Sequence, residues 1–249
     1  MMRVLLLGGT TEASALARQL AAAGVTAVFS YAGRTDSPAP QPLPVRIGGF
    51  GGPEGLARYL MTEGITHVID ATHPFAATIS GNAVAACAAT GIPLCAHERA
   101  AWVAGEGDDW THVADIAAAV AALPEEPTRI FLAIGRQTID PFAAKPWHQY
   151  VLRLVDPPKG RLPLPGAEVI VARGPFDAAS DQRLLAARRI KLIVAKNAGG
   201  AGARAKLDAA RALRIPVVMI DRPALPPRHV TADPEGVMAF LGHPATLGV

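Results

Sequence analysis

Two groups of residues in this 249-residue chain have the types and spacing to do chemistry. The first is Gly8-Gly9-Thr10-Thr11-Glu12, set between the apolar run at 4–7 and a pattern in which Ala13, Leu16, Ala17 and Leu20 recur at helical spacing. A glycine turn between a buried strand and a helix lets the backbone approach a pyrophosphate. Free N–H groups and the positive end of the helix dipole then meet its charge. The second group is Arg136, Arg173, Lys196 and Arg222, each following an apolar run of strand length. At the carboxyl edge of a parallel sheet these cations converge on one cleft, where guanidinium forks and ammonium groups suit carboxylates or phosphates. The first group predicts a nucleotide site and the second a polyanionic ligand.

The glycine motif departs from G-x-G-x-x-G at Thr10 and Ala13, and alone it is a weak signal. Glu12 would repel phosphates beside it unless it turns toward a sugar hydroxyl, or it merely complements the helix dipole. The run at 25–31 ends in Ser30-Tyr31-Ala32-Gly33-Arg34, with no acid before Asp36. An arginine where NAD folds carry an acid fits a 2′-phosphate and hence NADP, the alternative being a solvated loop residue. The strand at 65–69 runs into Asp70-Ala71-Thr72-His73-Pro74-Phe75. Pro74 suits the first helical position and keeps His73 out of the helix, so Thr72 and His73 fall at the carboxyl edge where ligands bind. His67, in mid-strand, reads as a core or face residue.

These residues need a scaffold of alternating strands and helices. The proline-rich 38–44 reads as a surface connection to a strand at 45–47. Gly48-Gly49-Phe50-Gly51-Gly52 makes a second glycine turn before a helix carrying Leu56 and Leu60. A helix at 76–90, a strand at 92–97, Glu98-Arg99, a strand at 110–113 and a helix at 116–123 follow. Pro124-Glu125-Glu126-Pro127 reads as a linker. Beyond it strands are expected at 128–134, 151–155, 168–172, 191–195 and 217–220, with a helix at 177–189. The order strand, Pro-Phe, helix at 173–176 repeats that at 70–75, which hints at a shared architecture. The expected class is α/β, with two Rossmann-like domains of mostly parallel strands, at 1–125 and 126–249, and a cleft between them.

Half of the residues are hydrophobic, enough for a large core, and no apolar run is long enough to span a membrane. No targeting segment is read at the N-terminus, so a cytoplasmic protein is expected. The two cysteines, Cys87 and Cys95, read as reduced core residues, and no metal site is expected. A formal net charge of +3, dispersed through the chain, argues against nucleic acid and for a small anionic ligand.

Taken together, Gly8-Gly9-Thr10-Thr11-Glu12, Asp70-Ala71-Thr72-His73-Pro74-Phe75-Ala76, Ile134-Gly135-Arg136-Gln137, Ala172-Arg173-Gly174-Pro175-Phe176 and Lys196-Asn197-Ala198-Gly199-Gly200 resemble the precorrin-6A reductase family of cobalamin (vitamin B12) biosynthesis. The motifs occur in the family's order over nearly the whole chain, with Ala198 where a serine is expected. The resemblance implies an oxidoreductase that uses NADPH to reduce one double bond of precorrin-6A, a polycarboxylate tetrapyrrole, to give precorrin-6B. It implies that Gly8, Gly9, Thr10, Thr11, Glu12, Ser30, Arg34 and Thr72 contact the coenzyme. His73, Arg99, Arg136, Arg173, Lys196, Asn197 and Arg222 then face the substrate, and the proton comes from water or from a group such as His73. A non-catalytic two-domain sensor of nucleotides or tetrapyrroles would use the same residues without oxidising NADPH. A nucleotide-sugar enzyme on paired Rossmann domains would ignore porphyrinoid carboxylates.

Overall fold

The computed structural model describes residues 1–33, 38–158 and 160–242. Its strands are β1 (Val4–Leu7), β2 (Ala27–Tyr31), β3 (Val45–Ile47), β4 (His67–Asp70), β5 (Leu94–His97), β6 (Trp110–Val113), β7 (Arg129–Ala133), β8 (Gln149–Leu154), β9 (Glu168–Val171), β10 (Leu192–Lys196), β11 (Val217–Ile220) and β12 (His229–Thr231). The α-helices are α1 (Thr11–Ala22), α2 (Gly52–Thr62), α3 (Ala77–Thr90), α4 (Ile116–Ala121), α5 (Ala178–Ala187), α6 (Ala205–Leu213) and α7 (Pro234–Phe240).

The strands form two six-stranded sheets, β12-β5-β4-β1-β2-β3 and β6-β11-β10-β7-β8-β9, paired in parallel throughout. Starting from β1 and from β7, both have the doubly wound order 3-2-1-4-5, with a sixth strand beyond the fifth. The α/β class and the two Rossmann-like domains are therefore as expected.

The boundary is not. One compact unit is Met1–Ala100 with the chain from Ala224 on, and the other is Ala101–Pro223. β6 lies before the 124–127 linker yet pairs with β11, and β12 returns to pair with β5. Each sheet thus takes its sixth strand from outside the run that builds the other five. Prolines at 124 and 127 mark a loop, here between α4 and β7, but hydrogen-bonding partners remote in sequence decide which sheet a strand joins. The Pro-Phe segments are also not equivalent, since one follows β4, the fourth strand of its sheet, and the other follows β9, the third.

β1 explains why a four-residue apolar run centres a sheet. Val4 and Leu6 pack with Leu16 and Leu20 of α1 and Phe29, while Leu5 and Leu7 pack on the other face with Leu56 and Leu60 of α2 and Ala83 of α3. Strand alternation sends successive side chains to opposite faces, so a strand covered by helices on both sides is apolar throughout. In the second sheet Arg153 of β8 makes a bidentate pair with Asp181 of α5 at 2.5 and 3.0 Å. The two side chains are only 8% and 5% exposed, and they fasten the start of α5 to its strand.

Three histidines belong to this scaffold. Burial pushes His97, His148 and His67 below the ordinary histidine range. His148 accepts the Thr128 N–H at Nδ1 (3.1 Å), a bond that protonation would break, and burial with the nearby Lys145 ammonium outweighs the Pro124 carbonyl and Glu125, which favour the charged ring. On acidification the unfolded chain therefore takes up these protons first. The stability they contribute is complete above the unfolded pKa of about 6.5 and is lost as pH falls below it, by at most about 1.4 kcal/mol per pH unit per histidine. Melting temperature should fall as pH drops below about 6.5, and His148→Asn should flatten that fall. An acid limb unchanged in the variant would remove His148 from the account.

Candidate active site

In a doubly wound sheet, ligands bind at the carboxyl edge where strand order reverses. In the first sheet that point lies between β1 and β4. Gly8 is glycine because a Cβ there would overlap the buried Phe29 ring, and Gly9 because its φ is 122°. A Cβ on Gly9 would meet nothing within 4 Å, so the space over the turn is open. Thr10 caps α1, accepting the Ala13 N–H at 3.0 Å, and its hydroxyl donates to the Ala71 carbonyl at 2.9 Å. The second-glycine position of the motif is thus filled by a residue that ties the turn to the end of β4. The N–H groups of Gly9, Thr10 and Thr11 find no acceptor among the described residues.

At the end of β4, the buried Asp70 carboxylate accepts from the Thr72 hydroxyl (2.6 Å) and N–H (3.1 Å). His73 is exposed, and its Nδ1 accepts the Phe75 N–H at 3.2 Å. That bond assigns the proton of the neutral ring to Nε2.

Glu12 does not stand as a bare charge at the turn. Its carboxylate accepts from Arg99 at 2.7 Å and from the Thr11 hydroxyl at 3.0 Å. Burial pushes the Glu12 carboxyl up, but the bonds from Arg99, its own backbone N–H and Thr11 outweigh this and hold it below the usual range. Arg99, expected to face the substrate, is thus the partner of Glu12. Ser30, expected to face the coenzyme, is buried and accepts from Arg46 at 3.0 Å. Arg46 also donates to the carbonyls of Gly48 (2.8 Å) and Gly49 (3.0 Å) and lies 3.7 Å from the Phe50 ring centroid, fixing the second glycine turn. Sequence reading missed Arg46, because nothing local to β3 marks a partner on β2. Arg34 lies outside the described residues.

The second sheet has its reversal between β7 and β10. Arg136 follows β7 and is exposed, and Lys196 is the last residue of β10. Burial pushes the Lys196 ammonium below the ordinary lysine range. Arg173 follows β9, is largely exposed, and lies 3.6 Å from Asp156. Arg222 follows β11, and its guanidinium bonds the carbonyls of Asn197 (3.0 Å) and Ala198 (3.2 Å). The Asn197 amide is engaged on both sides by the backbone of Trp102. All four cations lie at strand carboxyl ends as expected, but in Asn197 and Arg222 the functional groups hold the loop itself. Trp102 was not foreseen, its partners being 95 residues away.

The model of the family described as "Precorrin-6x reductase CbiJ/CobK" matches residues 3–242. The chain belongs to the precorrin-6x reductase family. It is 64% identical to a precorrin-6A reductase of Rhodobacter capsulatus over 99% of this chain and 98% of that one. It is 31% identical to a cobalt-precorrin-6A reductase of Priestia megaterium over 89% and 91%. A solved structure titled CobK precorrin-6A reductase superimposes with a TM-score of 0.94 at 62% identity, covering 99% of this chain and 100% of that chain. The expected oxidoreductase of cobalamin biosynthesis is thereby borne out over the sensor and nucleotide-sugar alternatives.

A reductase of this family implies a reduced nicotinamide cofactor, and the residues at the first turn fit one. The open space over Gly9 and the N–H groups of Gly9, Thr10 and Thr11 suit a pyrophosphate, and Arg99 neutralises the nearby carboxylate. Among the described residues no helix is long and apolar enough to cross a membrane, and no group of three or more His, Cys, Asp or Glu could hold a metal ion.

Proposed function

We propose that this chain acts in the cytoplasm and reduces precorrin-6A to precorrin-6B with NADPH, adding a hydride and a proton across one C=C bond of the macrocycle. The observation that carries the reading is that corresponding edges of the two sheets each offer groups suited to anions, backbone donors on one and side-chain cations on the other. The first presents N–H groups around an open glycine turn, and the second presents the side chains of Arg136 and Lys196. The dihydronicotinamide, when bound, supplies the hydride. The protein's share is orientation, charge complementarity and water exclusion.

In this reading Gly8, Gly9, Thr10 and Thr11 form the pyrophosphate cradle, and Thr72 borders it. Glu12, held by Arg99, is turned to a sugar hydroxyl rather than to phosphate. Ser30, with Arg46, supports the adenosine end, and Arg34 reads the 2′-phosphate. Arg136, Arg173 and Lys196 contact substrate carboxylates. The proton for the ring carbon beside the one that receives hydride comes from water or from His73 as an imidazolium, which takes its second proton at Nδ1 by releasing the Phe75 N–H. The metal-free macrocycle is favoured over the cobalt form by the higher identity to relatives named for the former.

Coenzyme choice gives the test. Losing a charge-assisted contact to the 2′-phosphate costs roughly 1.5 to 3 kcal/mol, about tenfold to a hundredfold in affinity. Arg34→Ala should therefore weaken NADPH binding by that factor and leave NADH binding unchanged, as measured by equilibrium titration of both coenzymes. Equal losses for the two, or none, would show that Arg34 does not read the phosphate.

A further inference from the structure

The loop after β10 is tied down along its carbonyls by side chains remote in sequence. The Trp102 N–H donates to Asn197 Oδ1 at 2.7 Å, and Asn197 Nδ2 donates to the Trp102 carbonyl at 2.9 Å. The Trp102 indole Nε1 donates to the Gly200 carbonyl at 2.7 Å. Arg222 donates from Nε to the Asn197 carbonyl and from Nη2 to the Ala198 carbonyl. Lys206 donates to the Ala203 carbonyl, and its ammonium lies 4.7 Å from the Trp102 ring centroid. Lys206 and Trp102 are each only 6% exposed.

The loop needs such fastening. Gly199 and Gly200 both have positive φ, at 69° and 75°, and Gly202 follows, so the segment has much conformational freedom to lose. It also begins at Lys196, whose ammonium is held in a partly desolvated place at the end of β10. A cation on a loose loop must be ordered when its ligand arrives, and that cost is subtracted from affinity. A loop ordered beforehand avoids the subtraction.

We infer that Trp102 and Arg222 are positioning residues of the substrate site. They hold the 197–200 carbonyls back and thereby fix Lys196 and the loop backbone for a carboxylate of the macrocycle. Arg222 then acts through the loop rather than as a substrate contact. Its Nε and Nη2 groups must reach two successive carbonyls in fixed geometry, which a lysine ammonium cannot reproduce. The inference rests on the reading of Lys196 as a substrate contact.

The experiment compares Trp102→Phe, Arg222→Lys, Arg222→Met and Lys196→Met. It measures precorrin-6A affinity and its salt dependence, NADPH affinity, melting temperature, and KM against kcat. Trp102→Phe keeps a ring beside Lys206 but removes the indole N–H together with part of a buried ring, so the melting temperature is read with it to separate lost packing from the lost bond. This variant should raise the KM for precorrin-6A roughly tenfold, with kcat and NADPH affinity near the parent values. Arg222→Lys and Arg222→Met should be equally impaired, with the salt dependence of the parent, because both lose the two-carbonyl grip. Rescue by lysine, together with a shallower salt dependence for methionine, would make Arg222 a direct contact and overturn the assignment. Parent-like binding in Trp102→Phe and Arg222→Lys would also overturn it, even if Lys196→Met binds weakly. If Lys196→Met itself binds precorrin-6A like the parent, the substrate reading of the loop fails, and the inference with it. Should an Arg222 variant fail to fold, the milder Trp102→Phe decides.

Discussion

Gly9→Val is expected to fold and yet lose NADPH affinity by on the order of a hundredfold, the largest single effect in the coenzyme half of the site. Two physical terms act together. A valine at φ 122° is strained, and a β-branched residue tolerates such a φ badly. Its side chain would also occupy the open space over the turn, where the N–H groups of Gly9, Thr10 and Thr11 await an acceptor. The adjacent glycine gives the contrast. A Cβ on Gly8 overlaps the Phe29 ring inside the core, so Gly8→Ala should lower stability by about 1 to 3 kcal/mol through overpacking. Melting curves and NADPH titrations of both variants separate the effects. A folded Gly9→Val protein that binds NADPH like the parent would move the coenzyme away from this turn.

Lys196→Met carries the largest expected effect in the substrate half. An exposed ion pair contributes about 0 to 1 kcal/mol, whereas a contact made by a partly desolvated ammonium can be worth about 1.5 to 3 kcal/mol. Burial lowers the Lys196 pKa, and an anionic ligand there would favour the charged form that burial disfavours. Precorrin-6A affinity should fall about tenfold to a hundredfold, with less dependence on salt than in the parent and with NADPH affinity unchanged. Direct titration with each ligand checks this. A parent-like affinity for precorrin-6A would take Lys196 out of the site.

The scaffold was legible because its signals are local. The switch from the 4–7 run to helical spacing after Gly9 gives β1 and α1, the apolar run at 217–220 gives β11, and the strands Val45–Ile47 and Trp110–Val113 fall where they were expected. The cations at strand ends follow from the same reading. What escaped depends on pairs remote in sequence. β12 and α7 were missed, as was the transfer of β6 and β12 to their sheets, because strand pairing has no signature in the strand itself. Arg99 was expected to face the substrate, and its bond to Glu12, 87 residues away, was not foreseen. Arg46 and Trp102 gave no local sign of their partners. Gly55 was unremarked within α2, although a Cβ there would collide with the Phe50 carbonyl and any side chain would spoil the second glycine turn.

The central claim is that an open glycine turn and a cationic loop, on two sheets of one strand order, serve a single NADPH-dependent reduction. Mixing the protein with NADPH and precorrin-6A in the absence of oxygen, and following the dihydronicotinamide absorbance together with the macrocycle spectrum, tests it most directly. The account predicts that NADPH is consumed one for one with the macrocycle and that the product has gained two hydrogens by mass. Binding of both molecules with no loss of NADPH absorbance and no change in macrocycle mass would contradict it.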